Sequence, residues 1–403
     1  MVIFRASGRP RISSHYTVEE PLSAPYDMLI KGGTVIDPAQ GLHAARDVAI
    51  AGGRIAALDN EIYEETAQTV IDASGYLVTP GLIDLHVHVW WGVSHYGVAP
   101  DPTCLARGVT TVYDTGSAGA DTFPGFKKYV IDASATRIKA FLHVSSQGLL
   151  SAGIGEMTDL RFADVDRAVQ MCETHREDII GVKIRMSKGL VGENGREGLK
   201  RACEIRDATG LPLMVHPNAS PLSFDEMTAE LRPGDIVTHC FHRSDTGILD
   251  ESGAVRPSAR RAAEEGILFD VGHGQGSFVF DVAEAAMSQD FPPGAISSDL
   301  HVYNLNGPVY DLVTTVSKFL VLGLTLDQAL DRVTAAPARH MGVLGEIGTL
   351  QPDACADLAI LQLKPGSFEF ADTRGGTRSA NQKLEAVSTI RAGRLYAPSA
   401  FDD

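Results

Sequence analysis

The stretch from residue 79 to about 340 alternates between short apolar runs and amphipathic runs. Segments such as DVDRAVQMCETH, EGLKRACEIRDATG and ARRAAEEG have helical spacing, and TLDQALDRVTAAPARHMG follows the last apolar run. The eight apolar runs are LVTPGLIDLHVHV, VTTVYDTG, RIKAFLHVSS, IIGVKIRMS, LPLMVHP, DIVTHCF, GILFDVGHG and AISSDLH. Because strands that alternate with helices form parallel sheets, the pattern predicts βα units. Eight units over about 250 residues match an α/β fold of the (β/α)8 TIM barrel type.

Both ends of the chain have a different texture. Near the start, DMLIKGGTVID, DVAIAGGRIAAL and TVIDASGYLVTP are short β-type runs separated by Gly, Asp and Asn turn signals. GTLQPDACADLAILQL and LEAVSTIRAGRLYA near the other end are similar. We therefore expect the two ends to pair into one sheet structure beside the central domain. Residues 1–25 lack the apolar stretch of a secretory signal and are interpreted as an N-terminal extension.

Composition narrows the class of partner. The net charge of −16 argues against nucleic acid and anionic membranes, which attract basic surfaces. No apolar run approaches the roughly 18 residues that span a bilayer. The five cysteines are scattered, with no close pair that would indicate disulfides or a thiolate zinc site. We expect a cytoplasmic protein with a small-molecule substrate.

Two histidines stand at the end of the first apolar run, in GLIDLHVHVWW. The period of two along a strand places His86 and His88 on one face. In a barrel that face is the interior, at the carboxyl end where active sites form. Two imidazoles there can bind one metal ion. Taken alone, the pair is better explained by partly buried histidines bonded to backbone.

Four further runs end in a potential metal ligand, and this convergence favours a metal site. The residues are Lys183, His216, His239 and Asp299. Lys183 points inward, where an ammonium would be repelled by a dication and costly to bury. A neutral lysine amine can instead add carbon dioxide. The resulting carbamate has two oxygens and a negative charge, so it could bridge two metal ions.

These ligands suffice for two divalent ions. One would be held by His86, His88 and Asp299, and the second by His216 and His239, with the carbamate and a hydroxide shared. Imidazole and oxygen ligands with open positions suit Zn²⁺, with Mn²⁺, Co²⁺ or Fe²⁺ as alternatives. A bridging water in such a site loses a proton near neutral pH and becomes a nucleophile.

With these residues in place, from DMLIKGGTVID and PGLIDLHVH to GTLQPDACADLAIL, the chain resembles the amidohydrolase superfamily of binuclear metallohydrolases. The resemblance implies a (β/α)8 barrel, residues 79–345, with a small β-sandwich domain formed by residues 26–78 and 346–400. It implies that Lys183 is carboxylated. It also implies that Asp299 takes a proton from the bridging hydroxide and delivers it to the leaving group. We expect a homo-oligomer.

Within the superfamily, dihydroorotase-like members carry an arginine two residues after the HxH pair, where this chain has Trp90. HVHVWWG, CLARGVTTVYDTGSAG, LFDVGHGQGSF and SSDLHVYNLNGPVYDL resemble the amidohydrolase/deacetylase subgroup instead. This resemblance implies deacetylation of a small acetylated carboxylate, either an O-acetyl 2-hydroxy acid or an N-acetyl amino acid. The alternatives are a cyclic amidase acting on hydantoin- or dihydroorotate-like rings, a mononuclear deaminase, and a non-catalytic oligomeric partner. The inward Lys183 argues against the deaminase, and the complete ligand set argues against the non-catalytic protein.

Four residues are predicted to contact the substrate. Arg185 shares the inward face of Lys183 and could meet a carboxylate, although it could equally pair with a carboxylate of the barrel. His273 lies between glycines at the end of the seventh run. His301 follows Asp299 by two residues, and could orient it. Trp90 could wall the pocket, or pack beneath the loop.

Overall fold

The structure is a computed structural model that describes residues 24–396, so the predicted extension 1–25 lies outside the described residues except for its last two. The strands in this range are β1 Tyr26–Asp37, β2 Leu42–Ala51, β3 Arg54–Asp59, β4 Ala67–Asp72, β5 Leu77–Pro80, β6 Leu82–Val87, β7 Val109–Gly119, β8 Arg137–His143, β9 Ile179–Arg185, β10 Leu213–His216, β11 Ile236–Val237, β12 Leu268–Phe269, β13 Leu358–Ala371, β14 Thr377–Arg391 and β15 Arg394–Tyr396. The helices are α1 Pro100–Thr103, α2 Phe123–Phe126, α3 Val165–Thr174, α4 Lys188–Val191, α5 Gly195–Thr209, α6 Phe224–Thr228, α7 Pro257–Glu264, α8 Phe280–Met287, α9 Leu312–Val321, α10 Leu326–Asp331 and α11 Ala335–His340. Across this part of the chain, none of the helices combines the length and apolarity that a membrane span requires.

Strands β6 to β12 form one parallel sheet in sequential order. Each strand pairs in parallel with the next, as expected where a crossover connects neighbouring strands. Every residue of β6 and β7 is buried. A parallel sheet covered on both faces explains why both the apolar and the polar side chains of these strands are buried. The carboxyl ends of the seven strands therefore meet at one edge of the sheet.

The eighth apolar run does not form a full strand. Residues 295–300 make two isolated parallel bridges, from Ala295 to Asp270 beyond β12 and from Leu300 to Val87 in β6. The φ of Asp299 is 48°, a left-handed conformation that interrupts an extended strand. The predicted eight strands are thus seven strands and one segment that bridges both edges of the sheet.

The remaining strands form a second sheet in the order β15-β14-β13-β5-β1-β2-β3, with β4 beside β1. Strand β13 pairs antiparallel with β5, so the two chain ends meet in one sheet, as their similar texture predicted. The small β-sandwich domain is not confirmed, because all eight strands belong to a single sheet. This second sheet has a buried hydrophobic cluster that includes Ile30, Val48, Val78, Leu358 and Ile390.

The carboxylate of Asp37 joins the two ends of the chain. It is fully buried and accepts hydrogen bonds from the amide of Ala39 (3.0 Å) and the side chain of Gln40 (2.7 Å). From the other end of the chain it accepts bonds from the hydroxyl of Thr349 (2.9 Å) and the amide of Leu350 (2.6 Å). Four donors thus depend on one carboxylate.

We predict that Asp37→Ala lowers the free energy of unfolding by about 2 to 3 kcal/mol, because buried donors lose their acceptor. Urea denaturation measures the change. The control is Asp59→Ala, which removes an exposed carboxylate of the same sheet that accepts a hydrogen bond from the amide of the adjacent Asn60. This substitution should change stability by less than about 0.5 kcal/mol. Equal effects of the two substitutions would contradict the role of Asp37.

Candidate active site

Five of the predicted ligands line one cavity of about 180 Å³ at the carboxyl ends of the parallel strands. They are His86, His88, His216, His239 and Asp299. His86 lies within β6 and His216 ends β10, while His239 follows β11 by two residues. The parallel register explains the convergence, because equivalent strand ends lie side by side.

His86, His88 and Asp299 form a group suited to one metal ion. One ligand atom from each lies within 4.8 Å of the others. Oδ1 of Asp299 is 3.5 Å from Nε2 of His86 and 3.2 Å from Nε2 of His88. This oxygen is buried and has no hydrogen-bond partner among the described residues. An acceptor oxygen and two ring nitrogens that converge in this way fit a divalent cation.

A chain of hydrogen bonds fixes the ring of His86. The hydroxyl of Thr238 donates to Asp270 (2.8 Å), so its oxygen is available to accept from Nδ1 of His86 (2.8 Å). Asp270 also accepts a bond from Ser297 (2.7 Å). With the proton on Nδ1, the lone pair of Nε2 faces the cavity. Metal-binding histidines are commonly oriented by such outer bonds.

The other rings are held in similar ways. The partners are Ser117 for Nδ1 of His88 (3.0 Å), the carbonyl of Gly272 for Nδ1 of His239 (2.6 Å) and Ser187 for Nε2 of His216 (3.2 Å). Burial lowers the pKa of His88 and His239 to about 3, and that of His86 and His216 well below the usual value. All four imidazoles are therefore neutral near pH 7, the form that binds metal.

His216 and His239 are placed to hold a second ion. Their ring centroids are 4.4 Å apart, and the ring of His239 is 4.9 Å from that of His86. The two histidine pairs thus lie side by side in the cavity.

Lys183 is fully buried and lies in β9, next to the strand that ends in His216. Its Nζ donates a hydrogen bond to the sulfur of Met214 (3.4 Å), a weak acceptor. Gly116 leaves space for the lysine stem, since a Cβ there would lie 2.9 Å from Cγ of Lys183. Burial lowers the pKa of Lys183 to about 7, so a substantial fraction is the neutral amine at neutral pH.

Arg185 lines the same cavity and is paired with a carboxylate that the sequence pattern did not indicate. Its Nε donates to Oε1 of Glu156 (2.8 Å), its Nη2 contacts the same oxygen, and its Nη1 donates to the hydroxyl of Tyr96 (3.3 Å). His143 lies 3.0 Å from the other oxygen of Glu156. Burial opposes ionisation of Glu156, but Arg185 and His143 lower its pKa to about 2. A cation held by a buried carboxylate therefore faces the cavity.

Glu156 and Tyr96 lie in loops, where neither strand nor helix periodicity identifies an inward position. Glu156 falls in GIGEMTDL after β8, and Tyr96 in VSHYG after β6. Only the conformation of the loop after β8 brings Glu156 to Arg185.

Among the other predicted contacts, His301 lines the cavity, with its ring centroid 4.7 Å from that of Tyr96 and 6.4 Å from that of His88. Trp90 does not line it. This side chain is 5% exposed and packs against Phe126 at 5.6 Å between ring centroids. These contacts favour the alternative in which Trp90 packs beneath the loop, and its predicted contact with the substrate stays a prediction. Its neighbour Trp91 is 54% exposed.

His273 is also placed outside the cavity. It is fully buried, stacks on Phe278 at 4.5 Å between ring centroids, and its Nε2 lies 2.7 Å from Nζ of Lys318. The structure therefore places His273 behind the cavity wall, and its predicted contact with the substrate stays a prediction. The glycines beside His273 let the backbone turn: Gly272 and Gly274 have positive φ values of 44° and 57°.

Histidine and aspartate side chains that converge at the ends of parallel strands define a metal-dependent hydrolase as the class of site. Comparison with known proteins shows the family to which the chain belongs. No family model matches the chain. A deacetylase of Agrobacterium fabrum is 34% identical over 97% of this chain and 96% of its own length. A deacetylase of Brucella anthropi is 36% identical over 87% of each chain.

Two solved structures have the same fold over 92% of this chain at 33% sequence identity. One is described as an adenine deaminase, with a TM-score of 0.86 and complete coverage of that chain. The other is described as a dihydroorotase, with a TM-score of 0.85 and 97% coverage. The chain belongs to the amidohydrolase superfamily, in its deacetylase- and dihydroorotase-like subgroup, and is a hydrolytic enzyme.

We predict that His88→Asn lowers Zn²⁺ affinity by more than about 100-fold, because even the outer hydrogen-bond partners of metal ligands are worth about 10- to 100-fold. Zinc content after dialysis against a competing chelator measures the loss. The matched control is His340→Asn, whose ring bonds to the carbonyl of Gly234 (2.9 Å) away from the cavity. A variant at position 88 that keeps as much zinc as this control would remove His88 from the ligand set.

Proposed function

We propose that this protein is a binuclear metal-dependent deacetylase that acts on a small acetylated carboxylate. One observation carries the proposal. A cavity of about 180 Å³ contains both a metal-binding group and the guanidinium of Arg185. An anionic substrate held by Arg185 would place its acetyl group next to the group of His86, His88 and Asp299. The relatives that are named deacetylases support this reading.

Arg185 has donors to spare for a substrate. A guanidinium has five N–H groups, and the contacts with Glu156 and Tyr96 account for three of them. The remaining two could bind a carboxylate in a charge-assisted pair. The small cavity suits an O-acetyl 2-hydroxy acid or an N-acetyl amino acid. Glu156 would keep the guanidinium in position between turnovers.

Two divalent cations, of which Zn²⁺ is the expected metal, would supply Lewis-acid polarisation of the acetyl carbonyl and a water of lowered pKa. His86, His88 and Asp299 would hold one, and His216 and His239 the other. Lys183 lies on β9, where its charge would act on all four histidines, and burial favours its neutral amine. That amine can attack the carbon of carbon dioxide and lose a proton, which leaves a carbamate of charge −1 as the shared ligand.

Asp299 is proposed as the proton shuttle. Its Oδ1 points toward His86 in β6 and His88 just after this strand, and accepts no hydrogen bond from any described residue. The carboxylate would take a proton from the attacking water and deliver it to the leaving oxygen or nitrogen. Arg185 would meanwhile hold the product carboxylate, so that acetate and the free hydroxy or amino acid separate within the cavity.

A cyclic amidase is the second candidate, because a structure described as a dihydroorotase is similar to this one. Trp90 is buried where dihydroorotase-like members carry an arginine, but Arg185 places a cation in the cavity from another strand. The test below therefore compares ring opening of dihydroorotate directly with acetate release.

The test is acetate release by the zinc-loaded enzyme, supplied with bicarbonate, from N-acetyl amino acids and O-acetyl 2-hydroxy acids, with ring opening of dihydroorotate as comparator. We expect kcat/KM of about 10⁴ M⁻¹s⁻¹ or above for at least one acetylated acid. Asp299→Asn is the control, since it should fold normally but lose kcat by orders of magnitude. Ring opening without acetate release would establish the cyclic amidase instead.

Lys183→Ala is expected to lose metal and activity together, because the proposed carbamate is a ligand of both ions. Propionate, a short carboxylic acid, should restore part of both. The control is Lys139→Ala on the neighbouring strand, whose ammonium bonds to the carbonyl of Glu177 near the surface. Metal analysis and kcat measure the outcome, and full activity of Lys183→Ala would exclude the carbamate.

A further inference from the structure

A second buried lysine, Lys318 in α9, lies outside the metal-site cavity and takes no part in the proposed chemistry. It is fully buried, and its Nζ has three acceptors. These are Nε2 of His273 at 2.7 Å, the carbonyl of Pro308 at 2.8 Å and the carbonyl of Ala371 at 2.8 Å. The three come from distant parts of the chain, so one ammonium joins three segments.

The protonation of the pair follows from the geometry. Nδ1 of His273 lies 2.9 Å from the carbonyl of Gly274, which can only accept, so Nδ1 carries the proton. Burial keeps the pKa of His273 low and the ring neutral. Nε2 is therefore an acceptor for Lys318. Burial lowers the pKa of Lys318 to about 7, but unlike Lys183 this lysine has three partners that can only accept, and they match the three N–H donors of an ammonium.

His273 leads directly into a wall of the metal-site cavity. We call residues 274–278 the active-site loop. Gln275, Gly276 and Ser277 of this loop line the cavity. At its start, a Cβ on Gly274 would lie 2.4 Å from Oδ2 of Asp299, so the loop backbone is packed against that carboxylate. Any shift of Gly274 would change the space available to Asp299.

The hairpin of β13 and β14 holds the other end of the active-site loop. The amide and hydroxyl of Thr373 both donate to the carbonyl of Phe278, at 3.1 and 2.6 Å. The amide of Phe280 donates to Asp372 at 3.1 Å. Ala371, an acceptor for Lys318, ends β13 in the same hairpin. The second sheet thus reaches the active site through this hairpin.

We propose that Lys318 is a positioning residue for hydrolysis: through His273 and the hairpin it holds the active-site loop in the position that fits Asp299. Burying a lysine ammonium costs free energy unless each of its N–H groups has an acceptor. The three acceptors of Lys318 offset this cost and tie the ammonium to the loop and the hairpin. The kinetic part of the inference rests on the proposed function. The structural part concerns the mobility of the active-site loop and is independent of the proposed function.

The experiment uses the full-length, zinc-loaded enzyme and Lys318→Met, which keeps an unbranched stem but removes the donors. We expect unchanged zinc content, a kcat at least tenfold lower and a KM within about threefold of the original. Hydrogen exchange at the amides of the active-site loop should be at least tenfold faster, while exchange in β6 to β9 is unchanged. The control is Lys364→Met, on the same hairpin, whose ammonium makes a half-exposed ion pair with Glu385.

Loop exchange equal to that of the control would overturn the proposal, as would a kcat equal to that of the control. A general rise of exchange across β6 to β9 would mean that Lys318 is merely structural, and would also overturn it. If Lys318→Met does not fold, Thr373→Val decides the matter from the hairpin side by the same measurements. If the enzyme hydrolyses none of the acetylated acids, local loop exchange alone decides, so failure of the function is distinguishable from failure of this inference.

Discussion

The site depends on the backbone hydrogen bonds that join residues 295–300 to β6. The amide of Asp299 donates to the carbonyl of His86 (2.7 Å), and the amide of His88 donates to the carbonyl of Leu300 (3.0 Å). These bonds bring together side chains more than 200 positions apart in the sequence and place the carboxylate of Asp299 beside two imidazoles. Because the segment also bridges to the far edge of the parallel sheet, the first and last strand ends share one cavity.

Burial then determines the chemistry of the side chains gathered there. Desolvation keeps the histidines neutral and lowers the pKa of Lys183 to about 7, while Arg185 stays charged beside Glu156. Hydrogen bonds such as that from His86 to Thr238 aim the remaining lone pairs inward. The carboxylate oxygen of Asp299 accepts no hydrogen bond from residues 24–396 and lies near the neutral ring nitrogens. With the guanidinium of Arg185 in the same cavity, the site has separate regions for metal and for an anionic substrate.

Two predicted substrate contacts lie where the spacing of residues along a strand no longer determines which way a side chain points. His273 and Trp90 stand at strand ends or just beyond, where an inward-facing residue is expected. The structure turns His273 toward Lys318 and packs Trp90 on Phe126. Past the end of a strand the period of two no longer applies, because glycines and turns redirect the chain. Glu156 was missed for the same reason, since it lies in a loop.

The sequence by itself determined the parallel α/β order, the pairing of the two chain ends and the set of side chains that converge at strand ends. The order of strands and helices and the inward positions follow from local periodicity, which each strand expresses independently of the others. The pairing of the ends follows from the similar β-type runs at the two ends of the chain. Only the tertiary structure decided that the eighth run is a bridged segment, that the terminal strands form a single sheet in place of the expected β-sandwich, and that Arg185 is held by Glu156. Those outcomes depend on left-handed backbone at Asp299 and on contacts between loops, which arise only when distant segments pack.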